Sequence, residues 1–146
     1  MIAFDTNLLV YAHRYEDAVN EEAHALVQAY ADGDQPWAIP WPCCCEFLSV
    51  VTNRRIWGQD ATPMLEAWRQ LEEWASSPSV RLIAETEQFL PVFHRMAAQP
   101  RITGGRVHDA RIAAICIANG VSELLTRDRD FAHFPELRTR DPLVAA

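Results

Sequence analysis

The sequence contains no lysine, and all 13 of its basic residues are arginine. This absence excludes P-loop nucleotide binding, Schiff-base chemistry and phosphoryl-transfer sites built around a lysine ammonium. Long apolar runs are absent too, since the longest, at 112–118, has seven residues whereas a membrane-spanning helix needs about 20. The chain starts with a carboxylate at Asp5 and no basic stretch, which does not fit a signal peptide. We therefore expect a cytoplasmic protein.

The length of 146 residues predicts one domain spanning 1–146, and 49% hydrophobic with 23% charged residues is typical of a globular chain. The four cysteines, at 43, 44, 45 and 116, match neither a disulfide framework nor zinc-ligand spacing, so we expect small buried residues in a reducing compartment. The net charge of -7 is uneven: residues 101–140 carry +2 and the remainder -9. The C-terminal third could therefore face a polyanion.

Short apolar segments alternate with longer segments of helical periodicity. This alternation predicts a three-layer α/β/α sandwich with a central parallel sheet, and such sheets bind ligands at the carboxyl ends of their strands. Asn119-Gly120 is typical of a helix C-terminus. The predicted strands are 2–4, 37–39, 80–83 and 121–126. The predicted helices start near Leu8, near Ala23, at Pro42, near Pro63, at Phe89 and at Asp109. The helix near Pro63 has an apolar stripe of Leu65, Trp68, Leu71 and Trp74.

Four carboxylates fall at the ends of these elements. Asp5 follows the first strand, Asp128 follows the last clear strand, and Glu46 and Asp109 lie near helix N-termini. Taken singly, each acid fits a structural role, with Asp5 and Asp109 as helix caps and Asp128 in a turn. Taken together, they favour a site at the carboxyl edge of the sheet, where clustered oxygen ligands suit Mg²⁺ or Mn²⁺.

The combination of motifs resembles the PIN-domain ribonucleases, and most closely the VapC-type toxins of bacterial type II toxin–antitoxin pairs. The resemblance extends from residue 1 to about 142, and it depends on the order and spacing of motifs that are individually weak. They are Asp-Thr-Asn at 5–7, Glu46 in a proline-led helix, His-Asp-Ala-Arg-Ile-Ala-Ala at 108–114, Thr-Arg-Asp-Arg-Asp-Phe at 126–131, and the late segments 131–138 and 141–143.

The resemblance implies a metal-dependent endoribonuclease whose catalytic acids hold one or two Mg²⁺ or Mn²⁺ ions. A metal in such a site lowers the pKa of a bound water, neutralises phosphate charge and stabilises the leaving oxygen. The resemblance also implies a homodimer and a small antitoxin protein as partner. The metal-binding acids would be Asp5, Glu46, Asp109 and Asp128 with Asp130 as a fifth, and Asn7 and Thr126 would orient ligands or water.

Other polar and aromatic residues are weaker candidates for RNA contacts. His108 fits a phosphate contact or proton carrier as well as a surface group, and the five tryptophans could stack bases. Trp68 and Trp74 lie in a helical stripe, which also fits the core or an interface. Six arginines are candidate phosphate contacts or a solvated face: Arg54, Arg55, Arg101, Arg106, Arg127 and Arg129.

Two other classes of protein fit parts of the pattern. Haloacid-dehalogenase-like phosphatases also place an acid after the first strand, but they use a second aspartate two residues later and a lysine, whereas this chain has Asn7 and no lysine. A catalytically inactive PIN-like module with a protein-binding or regulatory role is the second alternative. The presence of all four acids counts against it, and an EDTA-sensitive RNA cleavage assay distinguishes the two.

Overall fold

A computed structural model describes residues 1–144 of the chain. Within that range, no helix is long and apolar enough to cross a membrane. The strands are β1 (Ile2–Phe4), β2 (Trp37–Pro40), β3 (Val80–Ile83), β4 (Glu123–Leu125) and β5 (Thr139–Arg140). The helices are α1 (Thr6–His13), α2 (Asn20–Asp32), α3 (Trp41–Val51), α4 (Arg54–Trp57), α5 (Met64–Ala75), α6 (Phe89–Ala97) and α7 (Arg106–Ala118), with short 3₁₀ turns at Gly58–Asp60 and Arg129–His133.

The five strands form one parallel sheet in the order β3-β2-β1-β4-β5. Residue Ile2 of β1 pairs with Trp37 of β2 on one side and with Glu123 of β4 on the other. On one side of the fold α1 packs on α2 and α3, and α3 on α5, while α6 and α7 pack on each other. The predicted α/β/α sandwich with a central parallel sheet is confirmed.

The strand order creates a crevice at the carboxyl end of β1. After β1 the chain continues to β2 on one side of β1, whereas β4 lies on the other side and continues to β5. The connections that follow β1 and β4 therefore run in opposite directions across the sheet. The backbone N–H of Asp5 donates to the carbonyl of Leu125 at 3.0 Å and continues the β1–β4 ladder to its last residue. Open parallel sheets bind ligands in such crevices. The fold therefore brings Asp5 and the residues after β4 to one place.

The end of α7 follows the predicted stop at Asn119-Gly120. Gly120 adopts a φ of 73°, its N–H donates to the carbonyl of Ile117 at 3.1 Å, and the N–H of Val121 donates to Cys116 at 2.9 Å. This paired pattern is the Schellman motif, which satisfies carbonyls at a helix end and favours glycine at the left-handed position. It turns the chain directly into β4.

Helix starts differ from the sequence predictions in two places that matter for the acids. Helix α7 begins at Arg106, not at Asp109, so the prediction that Asp109 opens or caps this helix is wrong. Residues 106–108 precede Asp109 in the first turn, and Gly105, just before the helix, already has helical backbone angles. Helix α3 begins at Trp41 rather than at Pro42, and Glu46 lies in its second turn.

Several side-chain environments also differ from expectation. Leu65 is 65% exposed and Trp68 44% exposed, although both were predicted in the apolar stripe of α5; Leu71 and Trp74 are buried as predicted. Cys43, Cys44 and Cys116 are buried, whereas Cys45 is exposed because it lies on the outer face of α3. Helix α4 and strand β5 are too short to leave a periodic signal.

We expect Gly120→Ala to lower the free energy of unfolding by about 1–2 kcal/mol, because a Cβ disfavours the left-handed conformation. Gly105→Ala is the matched control, since Gly105 has a φ of -59° and an added Cβ also meets open space there. That variant should be unchanged or about 0.4–1 kcal/mol more stable. Urea unfolding of the two variants measures the difference, and equal stabilities would contradict this account of the helix end.

Candidate metal and active site

Asp5 is the most buried acid of the site, with 5% of its surface exposed. It caps α1 by accepting from the N–H of Thr6 at 2.8 Å, and it accepts from the Thr126 hydroxyl at 2.7 Å and the Asn7 amide at 3.2 Å. The Cys43 thiol donates to it at 3.6 Å. Burial raises the pKa of Asp5, while the bonds from Thr126 and Thr6 act in the opposite direction. Neutral donors therefore orient this carboxylate without neutralising it.

Asn7 and Thr126 connect the ends of β1 and β4. The Asn7 amide donates to the Thr126 hydroxyl oxygen at 3.3 Å, and its carbonyl oxygen accepts from the backbone of Arg127 at 3.2 Å. The Thr126 hydroxyl oxygen also accepts from the backbone N–H of Asp128 at 2.9 Å. These bonds hold the loop after β4 against the start of α1, which places Asp128 beside the crevice.

Asp128 and Glu46 approach the crevice from different elements. Asp128 accepts from the N–H of Asp130 at 2.8 Å and caps the 3₁₀ turn that follows β4. Glu46 is half-buried on α3 and accepts from the Thr6 hydroxyl at 2.9 Å. The capping roles expected as alternatives thus exist for Asp5 and Asp128, but they leave carboxylate oxygens directed at the same crevice.

Asp109 is the least satisfied acid of the group. It lies half-buried in the first turn of α7, and within residues 1–144 no hydrogen-bond donor contacts its carboxylate. Burial, followed by the charges of Asp128, Asp5, Glu46 and Asp130, raises its pKa to about 6. Because Asp109 makes no capping bond, a purely structural role leaves its position unexplained.

The acids surround one cavity of about 340 Å³. Carboxylate oxygens of Asp109, Asp128 and Asp130 all lie within 4.8 Å of one another. Asp130 belongs to this group although it does not line the cavity itself. In the part of the chain described, no arginine or histidine lines the cavity, so the negative charge has no cationic side chain in contact with it. The cavity is lined by Asp5, Thr6, Asn7, Val10, Tyr11, Glu46, Val50, Trp57, Asp109 and Asp128.

The opposite wall of this cavity is formed by Tyr11 and Trp57. Trp57 was one of the five tryptophans considered for base stacking, whereas Tyr11 was not predicted in the site. Trp57 is held by a bond from its indole N–H to the Val50 carbonyl at 2.8 Å, and the Arg14 guanidinium stacks 3.6 Å from its ring centre. Tyr11 lies one helical turn after Asn7 on α1, a spacing that could have indicated its position. Cys43, one turn before Glu46 on α3, could have been found in the same way.

The six candidate arginines lie outside the cavity. Arg127 pairs with Asp141 at 3.1 Å and lies 5.6 Å from the Tyr11 ring centre. Arg101 and Arg106 donate to backbone carbonyls. Within residues 1–144, no salt bridge engages the exposed side chains of the other three, Arg54, Arg55 and Arg129.

A larger cavity of about 570 Å³ lies near α1, the 58–60 turn and the start of α5. His13, which lines it, contacts Gln70 at 3.2 Å and Thr62 at 3.0 Å through its two ring nitrogens. This cavity lacks a comparable group of acids within bonding distance of one ion, so its size does not make it the reactive site.

Comparisons with known proteins show the family to which the chain belongs. The PIN domain family matches residues 2–137. Ribonuclease VapC43 of Mycobacterium tuberculosis is 32% identical over 143 residues, which cover 98% of this chain and 96% of that protein. Ribonuclease VapC48 of the same organism is 32% identical over 139 residues, or 95% of each chain.

Solved structures show the same fold. VapBC2 from Rickettsia felis, determined bound to a DNA fragment from its promoter, aligns with a TM-score of 0.65 and 19% identity over 96% of this chain and 98% of that chain. VapC20 of Mycobacterium tuberculosis, a toxin that cleaves the sarcin–ricin loop, aligns with a TM-score of 0.65 and 16% identity over 90% of this chain and 93% of that chain. The chain therefore belongs to the PIN-domain family, and within it to the VapC ribonucleases.

We expect Asp109→Asn to raise the melting temperature of the EDTA-treated protein at pH 7. The pKa of Asp109 rises from 3.8 to about 6 on folding. Between these pH values the folded state still binds a proton at Asp109 that the unfolded state has lost. The contribution of Asp109 to the free energy of unfolding therefore falls as pH rises from about 4 to 6. The advantage of Asp109→Asn should grow over that range and vanish below it. Differential scanning calorimetry at stepped pH measures it.

Asp34→Asn is the control, because it removes one exposed carboxylate in the loop before β2. This loop lies at the amino end of the strand, away from the acids at the carboxyl ends. Its melting temperature should follow the wild type at each pH. Added Mn²⁺ should stabilise the wild type by about 2.7 kcal/mol at 100 times Kd, and Asp109→Asn much less. An Asp109→Asn protein clearly less stable than wild type in EDTA would contradict the repulsion argument.

Proposed function

We propose that this VapC-family chain is a Mg²⁺- or Mn²⁺-dependent endoribonuclease that acts as the toxin of a toxin–antitoxin pair. Asp5, Glu46, Asp109 and Asp128 act as the catalytic acids and hold the metal, with Asp130 as a fifth acid. The observation that carries the proposal is the Asp109 carboxylate, which is crowded by four acids at the carboxyl edge of the sheet. No cationic side chain lines that cavity in the described part of the chain.

The donor set fits a hard divalent cation. The site offers carboxylate oxygens and no thiolate or imidazole, which is the ligand type preferred by Mg²⁺ and Mn²⁺. The neighbouring Cys43 thiol remains protonated, because burial and the charge of Asp5 raise its pKa well above the usual range. A divalent cation at this position would also remove the repulsion that raises the pKa of Asp109.

A metal held by these acids would supply activation of a water for attack on phosphorus and stabilisation of charge on the leaving oxygen. The protein's own residues supply geometry. Thr126, Asn7 and Thr6 hold the Asp5 carboxylate in one orientation, and the same Thr126 hydroxyl accepts from the backbone of Asp128. Residues that orient metal ligands in this way affect metal affinity and activity by about 10- to 100-fold.

RNA is the proposed substrate, and arginines outside the cavity are the proposed phosphate contacts. Arg54, Arg55 and Arg129 are exposed and have no salt-bridge partner within residues 1–144. Residues 101–140 carry a net charge of +2, although the remainder of the chain carries -9. We assign weaker contacts to Arg101, Arg106 and Arg127, whose guanidinium groups already bind protein oxygens.

A small antitoxin protein is the proposed partner. A toxin–antitoxin complex from Klebsiella pneumoniae contains a chain that aligns with this one with a TM-score of 0.58 and 19% identity, which supports an equivalent partner here. The acidic cavity with its apolar Tyr11 and Trp57 wall would accept a basic or apolar segment of the antitoxin.

Asp5→Asn and Asp109→Asn should each reduce Mg²⁺-dependent cleavage of total RNA by at least about 100-fold, since loss of a ligand exceeds the effect of losing a residue that orients one. Circular dichroism should show that both variants remain folded. The wild type should cleave with Mg²⁺ and not with EDTA. Near-normal cleavage by either folded variant would overturn the assignment.

Asp128→Asn should impair cleavage more than Asp130→Asn, because Asp128 lines the cavity and Asp130 does not. Both changes remove one charge from the same group of carboxylates, which makes them a matched pair. Sequencing the 5′ ends of RNA fragments after brief expression supplies the cleavage site and a defined substrate for rate measurements. Equal loss from both changes would show that both acids are primary ligands.

We also expect a homodimer at micromolar concentration, with an interface formed by residues 20–30 and 42–75. Met64, Leu65 and Trp68 leave an apolar face of α5 exposed inside this region. Light scattering should give twice the mass of one chain, and Leu65→Asp should shift it to the monomer without loss of helix content. A wild-type monomer would contradict the expected dimer.

A further inference from the structure

A second cavity lies directly beside the acidic one. It has a volume of about 210 Å³, and Glu46 lines both cavities, so the two lie side by side at this side chain. The remaining lining residues come from the start of α3 and the start of α7, the two helices that carry Glu46 and Asp109. They are Trp41, Pro42, Cys45, His108 and Arg111.

The walls of this cavity are aromatic and cationic. Trp41, the first residue of α3, is 42% exposed, and His108 is exposed one residue before Asp109. Neither ring has a hydrogen-bond partner within residues 1–144, so both remain available. Arg111 borders the same space and forms a salt bridge with Glu85, in which its Nε donates to the carboxylate at 2.6 Å. The Trp41 indole therefore presents an open aromatic face beside the acidic cavity.

The chemistry of these walls favours a nucleobase as the occupant. Unpaired RNA bases stack on aromatic rings, histidine and arginine planes. The cavity is smaller than the roughly 300–1,000 Å³ pockets that enclose a whole drug-sized ligand, so it suits a single base. Cys45, Glu46 and His108 do not form a metal-binding group within the described residues, which removes a second metal as the occupant.

We propose that Trp41, His108 and Arg111 form a base-binding subsite, in which one base flanking the cleaved phosphodiester stacks on the Trp41 indole. The inference rests on the proposed RNA cleavage at the neighbouring acids. It names residues that select which nucleotide lies next to the scissile bond. A base held here lies next to Glu46, which borders both cavities.

Cys45 provides a probe of the subsite in the wild-type protein. It is the exposed cysteine, whereas Cys43, Cys44 and Cys116 are buried and burial raises the pKa of each thiol. Iodoacetamide should therefore modify Cys45 alone in the folded protein. A pool of single-stranded 12-nucleotide RNAs, with Ca²⁺ in place of Mg²⁺, should slow this alkylation at least threefold. No slowing at saturating RNA would overturn the proposal.

Cleavage kinetics test the stacking contact itself. On an oligonucleotide that spans the mapped cleavage site, Trp41→Ala should raise KM by about 5- to 150-fold, the range of one base–aromatic stack, with kcat within threefold of wild type. Trp41→Phe should restore most of the loss, because it keeps an aromatic face. Tyr15→Ala, which removes an exposed ring outside this cavity, is the control for Trp41→Ala.

Abasic substitutions identify the base concerned. Removing the base at one position beside the scissile bond should weaken wild-type cleavage, and Trp41→Ala should be insensitive to the same removal because the contact is already lost. If both Trp41 variants match the wild type while EDTA-sensitive cleavage persists, the subsite is wrong and the proposed function stands. Absence of wild-type cleavage would instead refute the function.

Two further outcomes decide the remaining possibilities. If Trp41→Ala fails to fold, protection of Cys45 in the wild-type protein still decides whether RNA occupies the cavity. Protection of Cys45 by the co-expressed antitoxin, with none from RNA, would assign the cavity to the protein partner and overturn the proposal.

Discussion

Repulsion among carboxylates at a single crevice is the interaction on which the rest of this structure depends. Burial and four neighbouring acids raise the pKa of Asp109 to about 6, and burial also raises the pKa of Asp5. Left to themselves, such groups would separate or take up protons. The fold prevents separation by attaching the five acids to four elements: the end of β1, the second turn of α3, the first turn of α7 and the segment after β4, which carries both Asp128 and Asp130.

Neutral donors hold this arrangement together. Thr6, Asn7, Cys43 and Thr126 supply the hydrogen bonds to the buried Asp5, and none of them carries charge. An arginine in their place would occupy the position of a cation and neutralise the site. The arginines of this chain lie outside the acidic cavity, where they can face phosphates. The acidic cavity is thus kept free of arginine side chains, which fits the proposed binding of a divalent cation there.

Much of this organisation could be predicted because its signals are local. Alternating apolar segments identified the parallel sheet, Asn119-Gly120 identified the end of α7, and the acids at strand ends identified the candidate site. Asp109 was predicted as a helix cap, but α7 begins three residues earlier, at Arg106, because Gly105 already has helical backbone angles. Strand β5 has two residues, and its pairing with β4 comes from the approach of the chain rather than from a pattern.

The sequence by itself determined the order of the elements and the types of side chain at their ends, because hydrophobic period, capping and turn chemistry act within a few residues. Only the tertiary structure decided which faces meet. It turned Cys43 towards Asp5 and Cys45 outward, and brought Trp57 from a four-residue helix to the acidic cavity. It also placed Trp41 beside His108. These contacts join residues tens of positions apart, so they depend on how helices pack on the sheet and not on any local preference.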